Sequence, residues 1–160
     1  MQSFTVPFKM HSTGWFLLFF CVMVGIQIGG WQLSLPIGAL LVASLLMHEV
    51  GHMLAATLLN VPVREFGIRL AGAYNRRAYA TRRRDEILIS AAGPLMNLLL
   101  VFPLLFLHRF GAQLALCNLL LCVINLLPLP SSDGLRILRT MWSSNAPGSM
   151  VPALSQPPTR

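Results

Sequence analysis

The residues best suited to chemistry are His48, Glu49 and His52, which form the pattern HExxH inside an apolar stretch. Two histidines four residues apart lie on one face of a helix, so both rings can reach a single cation. Glu49 lies about 100° round the helix from His48, where its carboxylate can serve as a general base toward water. The pattern predicts a metal site with His48 and His52 as ligands and Glu49 as the catalytic base.

The surroundings of this pattern strengthen the prediction. No Asp, Glu, Lys or Arg occurs between Lys9 and Glu49, and ionisable groups in an apolar helix are costly unless they are paired or functional. The alternative is that both histidines only bond to neighbouring backbone groups. Three ionisable groups together favour the metal site.

A catalytic zinc needs a third protein ligand, and Asp133 is the candidate because no other acidic residue follows Glu86. It comes after Pro128 and Pro130, which interrupt an apolar run and leave carbonyl groups unbonded. Such irregular backbone survives at membrane depth only next to protein or a watery cavity. We expect Gly134 to permit an unusual backbone that aims Asp133 inward. The alternative for Asp133 is a helix cap.

Asn97 is a further candidate, because a buried amide needs hydrogen-bond partners. At 1.5 Å per residue, it lies about 16 Å along a helix from Glu86, and His52 lies about 12 Å from Asn60. The two side chains are therefore expected at a similar depth. Asn97 can contact a substrate backbone or steady the catalytic residues.

The composition predicts a multipass membrane protein. Of 160 residues, 55% are hydrophobic and 11% are charged, with a net charge of +7, whereas soluble proteins carry roughly 25% charged residues. A nucleic-acid-binding protein is not expected, since no aromatic stacking platform accompanies the basic residues. The three cysteines (Cys21, Cys117, Cys122) all lie in apolar runs and are expected to pack between helices.

Four transmembrane helices are predicted. The first two cover about 14–30 and 36–60, with a turn at the cluster of Gly and Pro between them. The third covers 87–108, and the fourth begins at about Gly111 and is interrupted by Pro128 and Pro130. The fold class is therefore an all-α polytopic membrane protein, with residues 1–142 as one domain and 143–160 as a flexible tail rich in Pro and Ser.

The loop between the second and third helices is strongly basic. Residues 62–86 hold seven arginines, and the positive-inside rule then predicts that this loop and both termini are cytoplasmic. Within the loop, residues 63–80 alternate apolar and charged residues and indicate an interfacial β-hairpin, although a plain basic loop fits as well. A free edge of such a hairpin could accept an extended peptide.

These motifs together resemble the site-2 protease family of intramembrane zinc metalloproteases. The resemblance covers roughly residues 36–142. It rests on three segments, which are His48–His52, the sequence GPLMN at 93–97, and the pattern NxxPxxxxDG from Asn125 to Gly134. It implies that His48, His52 and Asp133 bind one Zn²⁺ and that Glu49 activates water. It also implies that Asn97 and Asn125 support substrate or transition-state contacts.

The resemblance further implies a function. Members of the family cut transmembrane segments of other proteins, so the expected partners are a transmembrane protein substrate and the lipid bilayer, with a regulatory membrane partner or a second copy left open. We expect a near-minimal member without a PDZ or CBS domain, in a prokaryotic inner membrane. The alternatives are a membrane metal transporter or sensor, and a catalytically silent membrane scaffold.

Overall fold

The computed structural model describes residues 7–69 and 72–143, and within them helices dominate. The elements of the described chain, in order, are β1 (Phe8–Met10), α1 (Gly14–Gly29), α2 (Ser34–Leu58), β2 (Val63–Arg69), β3 (Gly72–Arg77), α3 (Arg83–Leu105), α4 (Gly111–Leu126) and α5 (Asp133–Trp142). The predicted tail lies outside the described residues from position 144 onward.

The turn between α1 and α2 lies where the Gly and Pro cluster predicted it. Gly30 has a φ of 73°, a left-handed conformation that favours glycine. A short 3-10 turn at Trp31–Leu33 leads into α2. The helix begins at Ser34 and not at Pro36, because a proline is compatible with the first turn of a helix.

The basic loop folds into part of a small sheet. β2 and β3 pair antiparallel as the predicted hairpin, and β1 pairs parallel to β2 at the other side. The prediction of an all-α protein with at most a hairpin is therefore wrong in one respect, because residues before the first helix add a third strand. A strand of three residues is too short to show a periodic pattern.

An ion pair joins β1 to β2. Lys9 Nζ lies 2.8 Å from Glu65 Oε2, and the hydroxyl of Tyr74 donates to Glu65 Oε1 at 2.7 Å. These two hydrogen bonds, that from Lys9 above all, hold the pKa of Glu65 below its ordinary value.

Helix α3 begins four residues before the predicted start and ends at Leu105. Its first turn contains Asp85 and Glu86, and acidic side chains are favourable next to the positive end of the helix dipole. The prediction counted only uncharged residues, so it missed this charged first turn.

Two helical segments are long and apolar enough to cross a membrane, Trp31–Leu58 and Arg83–Leu105. Helices α1 and α4 are apolar but have 16 residues each, about 24 Å against a hydrocarbon thickness of about 30 Å. Both helices expose large apolar side chains such as Phe16, Phe19 and Leu120, as lipid-facing surfaces do. Four crossings therefore remain a prediction.

Candidate metal centre

Helix α2 brings the two histidine rings together, and α5 brings the carboxylate to them. His48 Nε2 lies 3.2 Å from His52 Nε2. Asp133 Oδ2 lies 3.2 Å from each of these nitrogens. The three predicted ligands thus present one atom each at the corners of an equilateral triangle. The histidines are buried, with 7% and 4% of their surfaces exposed.

This triangle has the size that zinc requires. Zinc bonds of 2.0–2.1 Å in a tetrahedron place neighbouring ligand atoms about 3.3 Å apart. The sides of the triangle measure 3.2 Å, and two imidazoles with a carboxylate are a ligand set of catalytic zinc sites. The residues therefore fit a zinc ion with an open fourth position.

Gly93 makes room for the rings. A Cβ atom at this position would collide with His52 Nε2 and would lie 2.8 Å from His48 Nε2. Small residues in a helix allow close packing of neighbouring helices. The structure adds a direct role for Gly93, since any larger residue would occupy the space of the ligand atoms.

The other nitrogen of the His52 ring is held by backbone. Its Nδ1 lies 2.7 Å from the carbonyl oxygen of Ile89 in α3. A carbonyl only accepts, so the ring donates from Nδ1 and keeps the lone pair of Nε2 for a metal. This contact fixes both the tautomer and the orientation of the ring.

Asn97 performs the same task for His48. Its Nδ2 lies 3.2 Å from His48 Nδ1, and its buried Oδ1 has no partner within the described residues. A ring that binds metal through Nε2 carries its proton on Nδ1 and must donate. Turning the amide by 180° places Oδ1 on that proton. Of the two roles expected for Asn97, its position favours the steadying of a ligand.

Glu49 lies beside the triangle and is held by the sheet. The Asn75 side chain in β3 donates from Nδ2 to Glu49 Oε2. Ligating atoms of His48, Glu49 and His52 all lie within 4.8 Å of one another. Glu49 is thus close to the centre, while Asp133 completes the triangle with the histidines.

The segment between α4 and α5 delivers Asp133. The Oγ atom of Ser132 accepts from Leu135 N at 3.1 Å and donates to Leu127 O at 2.5 Å. Ser132, and not Asp133, is therefore the cap of α5, which leaves the aspartate carboxylate free to face the histidines.

The reason for Gly134 differs from the expectation. Its φ is not positive, so the unusual backbone that we predicted there is wrong. A Cβ atom at this position would instead collide with the carbonyl oxygen of Leu126. Glycine is needed because α5 passes close to the end of α4.

Asn125 lines the cavity that contains His48, His52 and Asp133, but its side chain does not bond to any of these three residues. Its Nδ2 donates to Leu121 O at 2.9 Å within α4. The cavity has a volume of about 210 Å³ and is lined mainly by polar side chains, namely His48, Glu49, His52, Tyr74, Asn75, Asn125, Ser131, Asp133 and Arg136.

Two features of the site were not predicted. Asn75 gave no signal because its contact with Glu49 depends on how the hairpin lies against α2. The second is a buried ion pair, in which both Nη atoms of Arg77 lie 2.8 Å from the oxygens of Glu86. Glu86 has no exposed surface, and its position in an arginine-rich loop was the one available signal.

Comparisons with known proteins find relatives of this chain. The family model of peptidase family M50 matches residues 37–113, which include the HExxH pattern and Asn97. This segment, just under half of the chain, is similar to peptidase family M50. Asp133 and α5 lie beyond the matched residues, so their part in the site depends on the geometry.

The structure is similar to that of the site-2 protease from Methanocaldococcus jannaschii. The TM-score is 0.69 at 25% identity, over 88% of this chain and 69% of that one. The resemblance to site-2 proteases that the motifs indicated is thereby confirmed.

Two curated relatives match in sequence. The zinc metalloprotease MJ0392 of M. jannaschii is 29% identical over 86% of this chain and 43% of its own length. The protein YwhC of Bacillus subtilis is 28% identical over 69% of this chain and 59% of its own length. The chain thus spans about half the length of these relatives.

Proposed function

We propose that this protein is a zinc metalloprotease that hydrolyses peptide bonds within or near transmembrane segments of other proteins. The observation that carries the proposal is the triangle of His48, His52 and Asp133 with sides of 3.2 Å, next to the carboxylate of Glu49. The match to the model of peptidase family M50 and the names of the curated zinc metalloproteases support zinc as the metal and peptide hydrolysis as the reaction.

His48, His52 and Asp133 would hold the metal. Bound zinc supplies Lewis-acid polarisation of the scissile carbonyl and lowers the pKa of water to about 7. Ile89 and Asn97 fix the two rings, so that the Nε2 atoms already point at one place before the metal arrives.

Glu49 is the proton carrier of the reaction. Its carboxylate takes one proton from the attacking water as the oxygen bonds to the carbonyl carbon of the substrate. It then passes this proton to the amine that leaves when the C–N bond breaks. Asn75 donates to one carboxylate oxygen, which orients the other oxygen toward the water. The polar cavity around Glu49 admits that water.

The surface of the molecule supports this choice of substrate and location. The apolar outer faces of the helices fit a lipid bilayer, so the peptide that reaches the site comes from another membrane protein. We place the protein in a prokaryotic cell membrane with the arginine-rich loop in the cytoplasm. We assign Asn125, which lines the cavity wall, to contacts with that peptide.

A metal transporter is less well supported. Transport needs ligand sets at several depths, and within residues 7–69 and 72–143 one group of three metal-ligating side chains was found, at His48–His52. A scaffold without activity would not need Glu49 beside a complete ligand triangle.

The replacement Glu49→Gln tests the proposal. It keeps the shape of the side chain but removes the base, so zinc content should stay at one ion per chain while cleavage of a co-expressed membrane substrate falls at least 100-fold. Zinc is measured by elemental analysis, and cleavage products by mass spectrometry of membrane fractions.

The matched control is Asp85→Asn, which removes a carboxylate that does not line the cavity. This variant should keep both zinc and cleavage. Cleavage that survives in Glu49→Gln would refute the assignment of the base and the proposed reaction with it.

A further inference from the structure

Strand β3 connects three different cavities. Gly72 at its start borders an apolar cavity of about 830 Å³ between α1, α2 and α4. Ala73, Tyr74 and Asn75 border the metal centre. The end of the strand, from Asn75 onward, borders a basic cavity of about 500 Å³. An extended peptide that follows β3 therefore passes from apolar to catalytic to cationic surroundings.

The basic cavity has an excess of positive charge. Glu65 is the carboxylate among its lining residues. Four arginines also line it, namely Arg64, Arg76, Arg77 and Arg136. Glu65 already binds Lys9 and Tyr74, and Arg77 is paired with the buried Glu86. Within the described part of the chain, Arg64 and Arg76 form no ion pair within 4 Å, although Glu65 lies opposite Arg76 in the pairing of the two strands.

Two further observations indicate that the arginine side chains face the cavity. The pairing of β2 with β3 shifts between Val63 and Glu65, so Arg64 is the extra residue of a bulge, and bulges redirect side chains out of the regular ladder. Arg136 on α5 is 43% exposed, lies 3.9 Å from Glu86 and has its guanidinium carbon 6.0 Å from the centre of the Tyr79 ring. Part of its side chain therefore remains open to a second anion.

We propose that this basic cavity is a subsite for an acidic side chain of the substrate, two or three residues from the cleaved bond on the side of the arginine-rich loop. The inference rests on the proposed protease function. A strand rises about 3.3 Å per residue, so a peptide alongside β3 travels about 7 Å from Asn75 to Arg77. β3 is an edge strand of the described sheet, and an edge can bind an extended peptide.

The contacts favour a substrate carboxylate over a lipid headgroup. The basic cavity and the metal centre share Asn75 and Arg136 in their walls, so a chain held at the metal centre continues directly into the basic cavity. Such a subsite is selective, because the cytoplasmic flanks of most membrane segments carry Lys and Arg. Those flanks would be repelled by Arg64 and Arg76.

The test uses the full-length protein with zinc in phosphatidylcholine vesicles. Synthetic peptides share one apolar segment and differ in a single flank residue. This residue is Glu, Gln or Lys, and each of the three is placed in turn at four successive positions. Wild-type protein should cleave the best Glu peptide with a kcat/KM about tenfold above the Gln peptide, and the Lys peptide more slowly still. The non-cleaving Glu49→Gln protein should bind the Glu peptide about tenfold more tightly than the Gln peptide.

Charge reversal in the cavity should reverse the preference. The double variant Arg64→Glu with Arg76→Glu should favour the Lys peptide over the Glu peptide. Arg83→Glu with Arg84→Glu changes the charge by the same amount in the nearby first turn of α3, outside the cavity. This matched control should retain the preference for Glu.

Equal cleavage and equal binding of the three peptides would overturn the subsite. The protease function would still be supported in that case if the Glu49→Gln variant lost the cleavage. Binding that follows added phosphatidylglycerol and not the peptide charge would also overturn it, in favour of a lipid headgroup. If no peptide is cleaved but the Glu peptide still binds more tightly than the Gln peptide, the protease function alone would be contradicted.

Discussion

At the scale of single residues, the centre depends on groups that fix the ligands as much as on the ligands. Ile89 orients His52, Asn97 orients His48, and the missing side chain of Gly93 leaves room for both rings. Such outer contacts typically change metal affinity by 10- to 100-fold. We therefore treat Asn97 as a positioning residue for His48.

The replacement Asn97→Leu should lower zinc affinity by 10- to 100-fold, because the ring of His48 loses its acceptor. Asn97→Asp should retain high affinity, since a carboxylate accepts from the same Nδ1–H. Competition with a fluorescent zinc chelator measures both. Equal affinity in Asn97→Leu and the wild type would show that the amide does not orient the ring.

The spacing of His48, Glu49 and His52 made the candidate metal centre predictable, because helical geometry fixes which residues share a face. Asp133 could be suspected because acidic residues are rare in this chain. The contact of Asn75 with Glu49 could not be predicted, since it depends on tertiary packing of a strand against a helix. The same holds for the steric role of Gly93.

At the scale of elements, a buried ion pair joins the sheet to α3 and reaches toward α5. Arg77 at the end of β3 pairs with Glu86 in the first turn of α3, and Ala80 N donates to the same carboxylate at 3.0 Å. Arg136, one turn after Asp133, lies 3.9 Å from Glu86. The elements that carry Asn75 and Asp133 are thus both tied to one carboxylate.

Removing one member of this pair should be costly. Arg77→Met leaves the fully buried carboxylate of Glu86 without its main partner, and breaking such a pair costs about 3–5 kcal/mol. The double variant Arg77→Met with Glu86→Leu should regain much of that loss. Thermal and denaturant unfolding in detergent measure the stabilities. A single variant as stable as the wild type would contradict the structural role of the pair.

The order and approximate limits of the helices could be predicted, because gaps between charged residues and the positions of Pro and Gly mark helices and turns. The hairpin was visible as alternation in residues 63–80. The third strand, Phe8–Met10, was not, because it exists only through its pairing with β2.

At the scale of the whole molecule, charge is concentrated at one end. The arginines that line the basic cavity belong to the sheet and to α5, whereas Arg109 lies in the turn between α3 and α4, at the opposite end of α3. This asymmetry supports a cytoplasmic location of the arginine-rich loop.

Thiol labelling in intact bacterial cells tests this orientation. In a protein whose three cysteines are replaced by alanine, the Arg109→Cys variant should react with a membrane-impermeant maleimide from outside. The Arg84→Cys variant should react only after the cells are opened. The reverse pattern, or labelling of both from one side, would contradict the proposed topology.

The central claim is that His48, His52 and Asp133 together hold one zinc ion, and X-ray absorption at the zinc edge of the purified protein tests it most directly. We predict one zinc per chain with two imidazole nitrogens and oxygen donors at about 2.0–2.2 Å. Asp133→Ala should lower the occupancy and change the spectrum. Sulfur donors, or an identical spectrum and zinc content in Asp133→Ala, would contradict the claim.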